Sequence, residues 1–198
     1  MHFTRIPMAA YALCLAGFAV PLSANILPSL TSSGPSGIDT VFNYEINIGS
    51  DERLDPSGMG NQAYFTIYDF AGYVAGSAIA PAGWTITAQN VGVTPAGILP
   101  PDDPNVVNLT FSYVGSSTII GTGQNVAGFS ALSTDALETS GYFSQQATKN
   151  IGPTAGQRDA GLGPIELPTG ETPEPRTLLL FGVGLIGLGL FRKRIIRG

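Results

Sequence analysis

The sequence predicts a mainly β protein: a single antiparallel β-sandwich of jelly-roll or immunoglobulin-like type, between an N-terminal signal helix and a C-terminal transmembrane helix. Three observations lead there. Apolar and polar residues alternate with period two over several short segments, clusters of Gly, Pro, Asn and Asp separate them, and an uncharged apolar run lies towards each end. With 198 residues and 12% charged, the chain suits one domain with tails. It is too weakly charged for a coiled coil or a charge-driven disordered chain.

The first element is the address. Arg5 supplies a positive start, and Met8–Val20 is an apolar run of 13 residues. Pro21 stops it and Ala24 offers a small residue for cleavage. This order predicts a secretory signal peptide over residues 1–24, cut after Ala24. The sole His (His2) and the sole Cys (Cys14) both fall inside it. The remaining chain has neither imidazole nor thiol, which excludes disulfides, Cys/His zinc sites, cysteine nucleophiles and Ser–His catalytic pairs. Residues 25–37, rich in Ser, Pro and Gly, read as a flexible start.

Residues 38–167 carry the strand pattern. Phe42, Tyr44, Ile46 and Ile48 share one face against Asn43, Glu45 and Asn47. Tyr64, Thr66, Tyr68 and Phe70 alternate with Phe65 and Ile67, so both faces of that strand are expected to be covered. Trp84–Ala88 and Val107–Tyr113 alternate likewise, and shorter candidates lie at Ser117–Ile120, Val126–Leu132, Tyr142–Ala147 and Pro164–Leu167. Thr134–Thr139 is the one helical stretch expected. About eight strands with turn signals between them point to an antiparallel sandwich.

Charge is unevenly divided. Residues 25–175 hold all 14 acidic residues and three basic ones, Arg53, Lys149 and Arg158, a net charge of −11. That sign excludes nucleic acid as a partner and disfavours binding of this region to an anionic membrane surface.

Within this region several groups are candidates for chemistry. Asp51, Glu52 and Asp55, and the pair Asp102-Asp103, offer hard oxygen ligands for Ca²⁺, but neither has the EF-hand spacing, and solvated loop acids are the first reading. A glycosidase-type carboxylate pair is a second option, and Asp69, after an apolar run, is the acid expected to be partly buried, capping a turn. A Ser–Lys dyad would have to use Lys149. Tyr64, Tyr68 and Tyr73 either stack on sugars or belong to the core. Asn108-Leu109-Thr110 fits a glycosylation sequon, read as chance in a strand. No resident metal or cofactor is expected.

The last elements form the tail. Residues 168–176 read as a stiff Pro-rich linker, the Leu167-Pro168-Thr169-Gly170 stretch included, since it lacks the residue that an LPxTG signal needs between Pro and Thr. Thr177–Phe191 is an uncharged run of 15 residues, followed by Arg192, Lys193, Arg194 and Arg197. As a helix it rises about 22 Å, so snorkelling and local thinning must help it span. The basic residues of the 192–198 tail should stay cytoplasmic, leaving the domain outside the inner membrane. Pro173-Glu174-Pro175 stands just before the run. Together, the Pro-Glu-Pro tripeptide, the short Leu/Gly-rich span and the Arg/Lys cluster resemble the PEP-CTERM sorting tail, with Arg176 where that family favours a small residue.

The resemblance implies processing by an exosortase, a membrane cysteine peptidase, with Pro173, Glu174 and Pro175 as recognition residues and Arg192, Lys193 and Arg194 as the membrane stop. Such tails also occur on some ice-binding proteins, whose regular Thr arrays Thr85-Ile86-Thr87 does not match. The expected function is therefore that of an exported, membrane-anchored, non-enzymatic protein, processed and then displayed at the cell surface or in an exopolysaccharide matrix, with a structural or glycan-binding role. Expected partners are the Sec machinery, signal peptidase, exosortase, the inner membrane and exopolysaccharide. The alternative is an exported carboxylate-dependent glycan hydrolase.

Overall fold

The computed structural model describes residues 26–58 and 61–170. The expected signal segment 1–24, the span 177–191, the motif Pro173-Glu174-Pro175 and the stop residues Arg192, Lys193 and Arg194 lie outside the described residues. Those described form ten strands and no helix. In chain order they are β1 (Ile26–Ser36), β2 (Asp39–Ile48), β3 (Glu52–Leu54), β4 (Tyr64–Ile67), β5 (Trp84–Gln89), β6 (Asn108–Tyr113), β7 (Ile119–Ile120), β8 (Gln124–Ser133), β9 (Leu137–Lys149) and β10 (Arg158–Thr169).

The strands make two antiparallel sheets. The smaller runs β1-β2-β8 and the larger β5-β6-β4-β9-β3-β7, with β10 also paired to β9. Apolar faces of the two sheets share one core, as the period-two pattern requires. β2 alternates strictly and buries Phe42, Tyr44, Ile46 and Ile48. The larger sheet opposes them with Phe65, Ile67, Leu109, Phe111 and Phe143. At the centre Phe65 stacks on Phe111 at 4.9 Å between ring centroids and meets Phe129 and Trp84 edge-on at 5.2 and 6.0 Å.

β4 is buried on both faces, as its sequence predicts, and so is most of β6. The cover on the outer face is segment 90–106, which contains one of the Gly, Pro, Asn and Asp clusters that separate the strands in the sequence, Thr94–Asn105. Thr66 Oγ1 donates to Val93 O at 2.6 Å, and the Tyr68 hydroxyl is 2.7 Å from both Thr94 Oγ1 and Ser144 Oγ. A strand whose outer side chains are hydroxyls needs such a lid, because a buried hydroxyl is costly unless bonded.

Several expectations are corrected. The flexible start expected at 25–37 is, over Ile26–Ser36, an edge strand paired along β2. Its prolines Pro28 and Pro35 disguise it, since proline is tolerated where a strand has only one neighbour. Thr134–Thr139 is not helical: Asp135 N donates to Ser133 Oγ at 2.9 Å in a tight turn, and β9 begins at Leu137. β10 starts earlier than the expected Pro164 and runs on through Pro168 and Thr169, two residues expected in the linker. The folded unit therefore extends over 26–169 rather than 38–167.

Register fixes the two ends. Ile26 pairs with Ile48, and Ile48 with Gln124, so the described chain enters at one end, where Glu52 also pairs with Lys149. Ser36 pairs with Asp39, Thr40 with Ser133 and Leu137 with Thr169, so the chain leaves at the other. The Gly37-Ile38 tip of the first hairpin sits at this exit end; Gly37 takes a positive φ of 69° and Ile38 is 99% exposed.

Candidate functional site

The densest group of ionisable residues lies at the entry end. β9 ends on Lys149, β3 begins at Glu52 after Asp51, and β10 supplies Asp159 from its second position. Lys149 Nζ lies 2.9 Å from Asp51 Oδ2 and 2.6 Å from Asp159 Oδ2, and it also contacts Glu52 Oε1. Glu52 is fully buried and Lys149 is 15% exposed. Asp55 does not join them: it faces Arg53 Nε at 3.1 Å and accepts from Thr118 Oγ1 at 2.9 Å. The three acids expected together thus divide between two ionic groups, Asp51 and Glu52 with Lys149 and Asp55 with Arg53. Glu52 and Asp55 are buried, not solvated, and the Lys149 ammonium stands where Asp51, Glu52 and Asp159 converge. Among the described residues no group of three or more His, Cys, Asp or Glu is arranged to hold a metal ion.

Three carboxylates around one ammonium leave negative charge in excess, which favours the protonated form of the most deeply buried of them, Glu52. Burial, then the neighbouring Asp159 carboxyl, push Glu52 up to about 8, while Lys149 offsets them only in part. Burial pulls Lys149 down, but its hydrogen bonds to Asp159, Glu52 and Asp51 outweigh that and hold it above its ordinary value. A lysine held charged cannot act as the base of a Ser–Lys dyad.

A pH dependence follows from Glu52. Folded, it keeps its proton from the ordinary 4.5 up to about 8, where the unfolded chain has lost it. Stability from this group is therefore complete below that window and falls as pH rises through it. The urea midpoint of the wild type should drop between about pH 5 and pH 8 more steeply than that of Glu52→Gln, and parallel curves would refute the assignment.

A second polar group lies under the 90–106 cover. Asp69 has a positive φ of 55°, tolerated by a short polar side chain, and its Oδ1 accepts from Asp103 N at 2.8 Å. Asn108 is fully buried: Oδ1 accepts from Asp69 N at 2.7 Å, and Nδ2 donates to Asp102 Oδ1 at 2.8 Å and Asn90 O at 3.1 Å. Asp103 Oδ1 accepts from Asn105 N at 2.9 Å. Burial raises Asp69, backbone bonding from Asp103 lowers it, and the Asp102 and Asp103 charges raise it further. These acids fasten a loop. Asn108, engaged on both sides of its amide, is a structural residue rather than a sequon acceptor. Tyr64 and Tyr68 are buried, so their rings are core rather than sugar platforms.

At the exit end, Asp69, Asp135, Tyr142, Pro101, Leu167 and Gly170 help line an open groove of about 490 Å³. Ser33 Oγ of β1 also reaches Glu138 there. Gly170 follows β10 directly. The next residue begins the match to a known family model: residues 171–194 fit the PEP-CTERM protein-sorting motif. The chain carries a PEP-CTERM sorting motif. No curated protein matches the chain. The match covers the tail, where Pro173-Glu174-Pro175, the Leu/Gly run and Arg192–Arg194 carried the resemblance. The PEP-CTERM motif marks the chain as an exosortase target, exported and anchored in the membrane through its C-terminal segment. Thr169 is the last residue of β10, so Pro168 and Thr169 of the expected 168–176 linker belong to the strand, and Gly170 alone separates it from the matched segment.

Proposed function

We propose that this chain is a non-enzymatic surface protein. It is exported through the Sec route and cut after Ala24 by signal peptidase. The 177–191 span holds it in the inner membrane, with Arg192, Lys193 and Arg194 on the cytoplasmic side. An exosortase then cuts near Pro173-Glu174-Pro175, and the sandwich is displayed at the cell surface or in the exopolysaccharide matrix, in a structural or glycan-binding role. The observation that carries the reading is the PEP-CTERM match at 171–194, immediately after the last strand of a folded sandwich.

The state of the polar groups supports the non-enzymatic part. Lys149 is committed to three carboxylates, and Asp69, Asp102 and Asp103 to loop hydrogen bonds. A structural role is favoured over glycan stacking because Tyr64 and Tyr68 are buried, leaving Tyr142, 44% exposed at the exit groove, as the aromatic with a face to offer there.

The test is processing. In an exosortase-containing host, the wild type should appear outside the inner membrane with an intact mass lacking Thr177–Gly198. Glu174→Ala should accumulate in the membrane at full C-terminal mass. Equal release of both forms would defeat the reading, as would a released wild type that retains the span. A glycan array probed with the released form separates the two roles.

A further inference from the structure

We propose that two copies of this chain pair edge to edge through β5, antiparallel about a two-fold axis at Ile86, joining their larger sheets into one. β5 is the end strand of that sheet, and among the described residues only β6 pairs with it. Its outer row of backbone groups is thus a template for another strand, which natural sheets usually block with charge, proline or brevity. The other edges are blocked in those ways. β1 carries Pro28 and Pro35, β7 has two residues, and β10 carries Arg158, Asp159, Pro164, Glu166 and Pro168. The outer side of β8 is covered by the segment that bonds Val74 N to Leu132 O and Ile79 to Ser130. β5, Trp84-Thr85-Ile86-Thr87-Ala88-Gln89, has neither charge nor proline.

The surroundings of β5 say what kind of surface it meets. Residues 70–101 form 32 consecutive positions without a charged side chain, in a region whose net charge is −11. They supply β5, the segment along β8 and part of the cover over the outer face. Ile79 is 61% and Val91 68% exposed. Between β5 and the segment along β8 lies an open slot of about 510 Å³ lined by Tyr73, Ala75, Ala78, Ile86, Ala88 and Val107. A cationic partner would be drawn to the acidic surface elsewhere. A second copy has the same strong negative charge, and this flank lets two such bodies touch without bringing like charges together.

The sequence of β5 suits its own reverse. With the axis at Ile86, Trp84 faces Ala88, Thr85 faces Thr87 and Ile86 faces its counterpart. Large then meets small and hydroxyl meets hydroxyl, a self-complementary contact of the kind closed two-fold pairs require.

The experiment uses the intact chain in detergent micelles. Light scattering should give the protein mass of a dimer for the wild type and half that mass for Thr87→Lys. Thr87 is exposed on the edge, so the lysine leaves the core untouched, and an unchanged far-ultraviolet spectrum checks this. In a Cys14→Ser background, Ile86→Cys should yield a disulfide-linked dimer under mild oxidation, since opposed antiparallel positions bring Cα atoms within disulfide range. Leu162→Cys, on β10, should not. A monomeric wild type, a dimer indifferent to Thr87→Lys, or crosslinking through Leu162→Cys in place of Ile86→Cys would each overturn the proposal.

Discussion

Lys149→Met is expected to destabilise the folded domain by about 3–5 kcal/mol, the usual loss when one partner of a buried ionic group is removed. The wild type places one ammonium among Asp51, Glu52 and Asp159, all less than one-third exposed. Without it the carboxylates keep their burial and mutual repulsion and lose their counter-charge. Protonation relieves part of this, so the loss should be greater at neutral than at mildly acidic pH. Adding Glu52→Gln to Lys149→Met should recover part of the stability by removing the most deeply buried of the three acids. Urea unfolding of the exported domain measures all three variants, and a loss below about 1 kcal/mol would mean that the cluster behaves as an exposed one.

Phe65→Ala should cost a similar amount, about 3–5 kcal/mol, by a different mechanism. Phe65 is fully buried and meets Phe111, Phe129 and Trp84 through ring contacts. Truncation leaves a cavity bounded by strands of both sheets, which cannot close over it without breaking their pairing. Phe65→Leu refills most of that space and should cost about 1.5 kcal/mol or less. Trp84, the sole tryptophan, packs against Phe65 and Phe129 and reports the transition by fluorescence. Unlike the Lys149 effect, this one should be nearly independent of pH, which separates packing from charge.

Legibility in the sequence followed the range of the interaction. β2, β4, β5 and β6 were readable because period-two alternation is local, and a strand with one buried face writes its pattern into consecutive residues. β1 was missed because an edge strand needs few side-chain signals and tolerates Pro28 and Pro35. β3, three residues long, was too short to show a period. The helical reading of Thr134–Thr139 failed because residues 137–139 are claimed by a strand partner, β10, more than twenty residues away.

The acidic candidates fared in the same way. Asp51, Glu52 and Asp55 are neighbours in sequence, and proximity alone suggested a shared role. Their partners come from elsewhere: Lys149 lies 98 positions beyond Asp51, and Thr118 lies 63 beyond Asp55. Asp69 as a turn residue was legible, because its capping chemistry is local. Its link to Asp103, 34 positions away, was not.

The sequence by itself determined the β class and the sorting tail. Both are written in contiguous residues: alternation sets which face is apolar, and a tripeptide, an apolar run and a basic cluster in fixed order make an address. Only the tertiary structure decided which acids are buried, which lysine neutralises them and which sheet edge the described residues leave unpaired. Those properties depend on strand pairings between distant segments, and a pairing partner leaves no mark on the residues it will meet.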